Sequence, residues 1–349
     1  MANNQATINR QRAMLLTAMG PIIGGALRDK SVIEIMANPD GSLWLDKHGE
    51  GRVRAGDLLP GDAERIIRLV ASHIRVECND AAPIVSAELP ESGERFEGIL
   101  PPVVIGPSFA IRKPAGVVYS LSDYVEAQIM TPLQARCLSF AIANRKNILV
   151  VGGTSSGKTT LTNALLNELV ELSERVVIIE DTRELHCPVP DLVSLRTKPG
   201  VAIMSDLVRS TMRLRPDRIV IGEVRGPEAL DMLKAWNTGH PGGVATLHAN
   251  GAQAALYRLE QLIQEAVVTV PRRLIADAVD LLVFIKGRGD ARRVDCIREV
   301  MGLDSNADYQ LRLPDGLPPE QETSPEFGST QSNIMRSNTH ERNNNDDDQ

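Results

Sequence analysis

The run Gly152-Gly153-Thr154-Ser155-Ser156-Gly157-Lys158-Thr159 satisfies G-x-x-x-x-G-K-[ST] at every defining position. It restricts the chain to folds that join a strand to a helix through a phosphate-sized turn. Ahead of it, Asn147-Ile148-Leu149-Val150-Val151 is short, β-branched and bounded by polar residues, as a buried strand requires. Behind it, Leu161, Leu165, Leu166 and Leu169 recur at helical spacing. Successive N–H groups of such a glycine-rich turn converge on phosphate oxygens, and the helix N-terminus adds partial positive charge. Lys158 is then expected to reach the β- and γ-phosphates, with the Thr159 hydroxyl on Mg²⁺.

The same strand-helix alternation continues beyond the loop. It gives strand 176–180, helix 205–214, strand 219–222, helix 227–238 and strand 244–247, with late strands at Val279 to Ile285 and Arg293 to Val300. Such alternation predicts a mainly parallel α/β sheet with helices on its faces. Thr131, Pro132 and Gln134 form a capping box with proline at the first helical position, so a helix feeds the strand before the loop. Residues 124–312 are therefore read as the nucleotide domain.

Upstream, Val32-Ile33-Glu34-Ile35 alternates, Asn38-Pro39-Asp40-Gly41 is turn chemistry, and Ser42-Leu43-Trp44-Leu45 supplies a return strand. Asp62 is expected to cap a helix carrying Ile66, Ile67, Val70 and Ile74 on one face. Strands follow at Arg95 to Leu100 and Phe109 to Arg112, so residues 1–113 read as a smaller α+β domain. A linker is expected at 114–123, where Pro114 and Gly116 break the pattern and backbone change can be absorbed.

The formal charge of −7 would be a poor guide to the folded body. Residues 313–349 hold eight acids against Arg336 and Arg342, which accounts for −6 of it. This Pro-, Ser-, Asn- and Asp-rich segment reads as a disordered acidic tail or an acidic interaction tail. The remainder is near neutral and only 3% of residues are aromatic, so a stacking groove for single-stranded nucleic acid is disfavoured. Cys78, Cys137, Cys187 and Cys296 are widely spaced without metal-ligand spacing and read as buried thiols. Residues 13–27 loosely imitate a signal peptide but lack a persuasive small-residue cleavage site. A docking helix and a segment in contact with the membrane surface stand side by side as readings of that stretch.

Hydrolysis needs groups that hold a metal and orient water. Val176 to Ile179 runs into Glu180-Asp181, and Ile219 to Gly222 runs into Glu223, so both acids are expected at the carboxyl edge of the sheet, on the side of the loop. The alternative for Glu180 or Asp181 is capping of the turn that follows. Val244 to Leu247 ends at His248, a candidate γ-phosphate hydrogen-bond donor, with His240 ahead of the strand.

Four boxes at these positions, residues 152–160, 179–185, 214–225 and 238–250, resemble in order the Walker A, acidic, Walker B and histidine boxes of the secretion (traffic) ATPases. The likeness points to those of type IV secretion and conjugation systems. The resemblance implies a RecA-like P-loop NTPase C-terminal domain, an N-terminal domain over the nucleotide site, and a ring-shaped homohexamer. It also implies ATP and Mg²⁺ as ligands, contact with other machine components, and a cytoplasmic place on the inner-membrane periphery. The Walker A box adds Thr160 to the nucleotide-binding residues. Gly222 stands where many ATPases carry an aspartate, so the resemblance assigns Mg²⁺ to Thr159 and, largely through water, to Glu180 and Glu223. Glu223 is expected to orient or activate water, with Glu180 as its rival. Arg112, followed by Arg213 and Arg225, is the candidate arginine for the transition state. Arg183, Arg215 and Arg218 are also near these boxes. Two other readings remain: a RecA-like nucleic-acid motor, and a nucleotide-gated scaffold with negligible hydrolysis.

Overall fold

The structure is a computed structural model that describes residues 2–47, 49–90, 93–113, 118–198 and 200–317. Residues 114–117 of the expected linker, and the expected acidic tail beyond Leu317, lie outside the described residues.

The chain opens with α1 (Ala2–Arg28), which breaks at Gly20, where φ is +65°, just ahead of Pro21. There follow β1 (Val32–Ala37), β2 (Ser42–Lys47), β3 (Gly51–Asp57), α2 (Pro60–Ile74), β4 (Ile84–Glu88), β5 (Arg95–Ile99) and β6 (Ser108–Arg112). The strands form one antiparallel sheet in the order β3-β2-β1-β6-β5-β4. Leu15, Met19, Ile23 and Ala26 of α1 pack with Ile66, Ile67 and Val70 of α2 over this sheet, so residues 13–27 dock within the protein. Among the described residues no helix is long and apolar enough to cross a membrane.

Several local expectations change. Asp62 does not cap α2: Leu59 holds the cap position and Pro60 opens the helix, which leaves Asp62 as a first-turn acid near the positive end of the helix dipole. The alternation of β1 is broken by a register shift between Val32 and Glu34, so Val32 and Ile35 are both buried three residues apart. Strands β3 and β4 were not expected, since β3 is a largely exposed, Gly- and Arg-containing edge strand.

The second half comprises α3 (Leu121–Glu126), α4 (Pro132–Ala143), β7 (Ile148–Val151), α5 (Lys158–Asn167), β8 (Val176–Glu180), β9 (Leu192–Arg196), α6 (Met204–Thr211) and β10 (Arg218–Val224). It continues with α7 (Glu228–Asn237), β11 (Val244–Leu247), α8 (Ala252–Gln264), α9 (Arg272–Ala278), β12 (Leu281–Lys286), β13 (Arg293–Leu303) and β14 (Tyr309–Arg312). The sheet order is β14-β13-β12-β7-β11-β10-β8-β9, parallel from β12 through β9, with an antiparallel edge at β13 and β14. The α/β architecture and the parallel centre thus match the sequence expectation.

The period of two sorts each central strand between two cores. Leu149 and Val151 of β7 face a core shared with α6 to α9, whereas Ile148 and Val150 face one shared with α3 to α5. Every residue of β7, β8 and β11 is buried, as expected of parallel strands covered on both faces. Thr131 and Gln134 form the expected reciprocal capping box of α4. Arg218 is a structural group: its wholly buried guanidinium pairs with Glu174 and donates to the carbonyls of Gly242 (3.1 Å) and Ile142 (2.8 Å). Of the four cysteines only Cys187 is fully buried; Cys78, Cys137 and Cys296 are partly exposed.

Candidate nucleotide-hydrolysis site

The phosphate loop leaves the carboxyl end of β7 and enters α5 at Gly157, whose φ of +96° places it in the left-handed region. Ser155 also has positive φ, at +61°. Gly152, Ser156 and Lys158 are buried while Gly153, Thr154 and Ser155 are exposed along the rim. The Lys158 ammonium donates to the carbonyls of Gly152 (3.1 Å) and Gly153 (3.0 Å). Burial lowers its pKa, with Arg225 and Arg112 acting in the same direction and Glu223 and Glu184 opposing.

Parallel pairing brings the ends of β8, β10 and β11 to this edge. Glu180 is 4% exposed, and its Oε1 accepts hydrogen bonds from the backbone N–H groups of Glu184 (3.0 Å) and Leu185 (2.9 Å). Burial pushes its carboxyl up to about 7, against the pull of those two N–H groups, with the charges of Glu184 and Glu88 adding to the rise. Glu180 therefore does cap the following turn while still lining the cleft with Thr159, Glu184, Gly222 and Glu223. Asp181 accepts from the Thr197 hydroxyl at 2.7 Å.

Glu223 Oε1 lies 2.8 Å from His248 Nε2 but has no aligned hydrogen-bond donor, and Glu223 Oε2 pairs with Arg225. His248 in turn lies 3.2 Å, through Nε2, from Lys158 Nζ. His240 is held elsewhere, its Nδ1 3.0 Å from the Pro216 carbonyl. Arg213 is exposed just past α6 and lines neither cleft beside the loop. Arg225 is half-exposed beside Glu223 and 3.8 Å from Asp181.

Two contributors escape sequence reasoning. Arg95 reaches the cleft of Thr159, Glu180 and Glu223 because it pairs across β5 and β6 with Arg112, so the N-terminal sheet presents two neighbouring arginines toward the loop. Glu184 Oε2 lies 3.4 Å from the Thr159 hydroxyl. The acidic character of residues 179–185 was the available signal for Glu184; the strand register that selects Arg95 has no local one. Glu88 of β4 fastens the two sheets near this point, accepting from the Arg183 N–H at 3.1 Å and pairing with Arg196.

These residues fit Mg²⁺. That ion takes few protein ligands, retaining waters and substrate phosphates in its shell. One hydroxyl with carboxylates close by suits it, and no ready-made cluster of three or more His, Cys, Asp or Glu occurs among the described residues.

Residues 20–286 match the protein family described as type II/IV secretion system protein. The chain is 49% identical over 294 residues to the conjugal transfer protein TrbB of Rhizobium radiobacter, covering 84% of this chain and 91% of that protein. It is 33% identical over 299 residues to the type IV secretion system protein VirB11 of Bartonella quintana (strain Toulouse), covering 74% and 83% respectively. Among solved structures, the pilus retraction motor PilT with bound ADP superposes with a TM-score of 0.56 at 20% identity, covering 84% of this chain and 82% of that one. At that identity the likeness concerns the fold.

Proposed function

Because the chain belongs to the type II/IV secretion system protein family, we propose that it is a Mg²⁺-dependent ATPase that powers assembly of, or transfer through, a type IV secretion or conjugation machine. The observation that carries this reading is the meeting of Lys158, Thr159, Glu223 and His248 at one edge of the parallel sheet. A phosphate loop alone binds; a carboxylate oxygen without a donor beside the loop gives water a place to be oriented.

In this reading the residues Gly152 through Thr160 wrap the phosphates with backbone N–H groups, and Lys158 exchanges its loop carbonyls for phosphate oxygens. Thr159, with Glu184, Glu180 and Glu223 partly through water, would hold Mg²⁺. When bound, that ion neutralises charge on the β- and γ-phosphates. Glu223 Oε1 accepts a hydrogen bond from the attacking water, and a His248 ring N–H donates to the transferred group. Arg95 and Arg112 contribute guanidinium charge from the N-terminal sheet, and Arg225 holds the second oxygen of Glu223. Arg213, lying apart from the cleft within one chain, is assigned to contact with a neighbouring copy.

The wider reading comprises an N-terminal domain (1–113), a linker (114–123), an ATPase domain (124–312) and a tail (313–349). Glu88 supplies the contact through which loop movement after Glu180 is transmitted to the N-terminal sheet. A homohexamer at the cytoplasmic periphery of the inner membrane, engaged with other machine components, completes it. Phosphate release with and without EDTA tests the proposal: release that needs Mg²⁺ is expected, and release unaffected by EDTA contradicts it.

A further inference from the structure

The short connection between β12 and β13 lies on the same sheet edge as the phosphate loop, because β12 runs parallel beside β7. Arg292 closes that connection, its N–H bonded to the Gly289 carbonyl at 3.1 Å. The start of β13 is fixed to the turn before α4: Val294 N–H donates to the Ile129 carbonyl at 2.7 Å, and Gln134 Nε2 donates to the Val294 carbonyl at 3.3 Å. Arg292 is thereby held in place by backbone at both ends.

Its guanidinium packs against Gly157. A β-carbon at that glycine would sit 2.8 Å from Arg292 Nε, 3.0 Å from Cδ and 3.2 Å from Cζ. Glycine is thus required there for two reasons, its positive φ and this close approach. Arg292 Nε is buried without a hydrogen-bond partner. The Tyr124 phenol next to it is also unpartnered; burial pushes its pKa up, and the Arg292 charge acts against that rise. Gly157 is the N-cap of α5, so a cation lies against the positive end of a helix, an arrangement that is unfavourable until an anion joins it.

The position selects which phosphate. Arg292 abuts Gly157 itself, a residue of the loop whose backbone is read as wrapping the phosphates. Backbone N–H groups of a phosphate loop cradle the α- and β-phosphates, whereas the lysine reaches β and γ.

We propose that Arg292 is a nucleotide-binding residue whose guanidinium pairs with the α- or β-phosphate of the nucleotide at Gly157. This rests on the nucleotide-binding reading given above. Nothing in it requires the γ-phosphate, so ATP and ADP are affected alike.

The test is equilibrium binding of ADP and ATP, with steady-state turnover, for the wild-type chain, Arg292→Met and Arg292→Lys. Met keeps an apolar stem against Gly157 while removing the charge; Lys restores the charge without the fork. The expected result is affinity for both nucleotides weakened about tenfold or more by Met and less by Lys, with kcat within about threefold. A residue that only shapes the connection would lower thermal stability without separating Met from Lys in nucleotide affinity. Unchanged ADP affinity in Arg292→Met overturns the inference, as does a loss confined to kcat. If the wild-type chain binds neither nucleotide, the underlying reading fails as well; if it binds both and Lys158→Ala does not, failure at Arg292 concerns this inference alone.

Discussion

His248 Nε2 lies 2.8 Å from Glu223 Oε1 and 3.2 Å from Lys158 Nζ, so one imidazole touches both the loop lysine and the β10 carboxylate. Burial lowers the pKa of the imidazole, the Lys158 charge lowers it further, and Glu223 opposes them. The ring is therefore neutral near pH 7, with one N–H to donate and one acceptor nitrogen. His248→Ala is expected to slow phosphate release about tenfold or more while ADP affinity stays within about threefold, since ADP lacks the transferred group. Loss of ADP binding on the same scale as turnover would assign His248 to the shape of the loop instead.

Arg95 and Arg112 are paired across β5 and β6 of the N-terminal sheet. Removing either should lower kcat by about tenfold or more, with the double variant falling short of the product because the two share one phosphate environment. Single-turnover hydrolysis in matched oligomeric fractions checks this. Two independent, fully multiplicative losses would show that the arginines do not share a site.

The phosphate loop, the parallel strands and the placement of Glu180, Glu223 and His248 at one edge were legible because local patterns report them: fully apolar runs ending in a charge or an imidazole. Arg95 was not, because only the pairing of β5 with β6 brings it beside Arg112, and pairing across a sheet leaves no mark near either residue. Glu184 was visible as an acid, yet its approach to Thr159 depends on the turn pinned to Glu180. Strand β9 is half-exposed at the sheet edge, so its apolar signal is diluted. Helix α8 was overlooked despite a clear helical stripe through Ala255, Leu256, Leu259, Leu262 and Ile263.

Glu180 gives a pH signature. Its carboxyl titrates near 7 in the folded chain against an ordinary value of 4.5, so folding disfavours the ionised form. The associated stability is fully present below pH 4.5 and is lost as pH rises from 4.5 through 7. A shift of that size corresponds to about 3 kcal/mol. In metal-free, nucleotide-free buffer, Glu180→Gln should flatten the fall in unfolding free energy across that window, as read by urea denaturation. Identical pH slopes for the two proteins would contradict the assignment.

Asn147 ties the histidine-box turn to the sheet, accepting from the N–H groups of Gly242 (2.8 Å) and Gly243 (2.9 Å) and donating to the Ala278 carbonyl (2.8 Å). Its side chain is buried, so Asn147→Ala strands three backbone groups away from water. A loss of at least about 2 kcal/mol in unfolding free energy is expected, measured by chemical denaturation. A change under about 0.5 kcal/mol would mean that other groups satisfy the turn.

Glu223 Oε1, close to His248 and without an aligned donor, is the group proposed to orient the water that attacks the γ-phosphate. The most direct test of that role is phosphate release by Glu223→Gln beside the wild-type chain, with nucleotide affinity measured on the same samples. Glutamine keeps the shape and removes the basic oxygen. Turnover lower by about 100-fold or more, with ATP affinity within about threefold, is the predicted result. Wild-type turnover in Glu223→Gln would contradict the account.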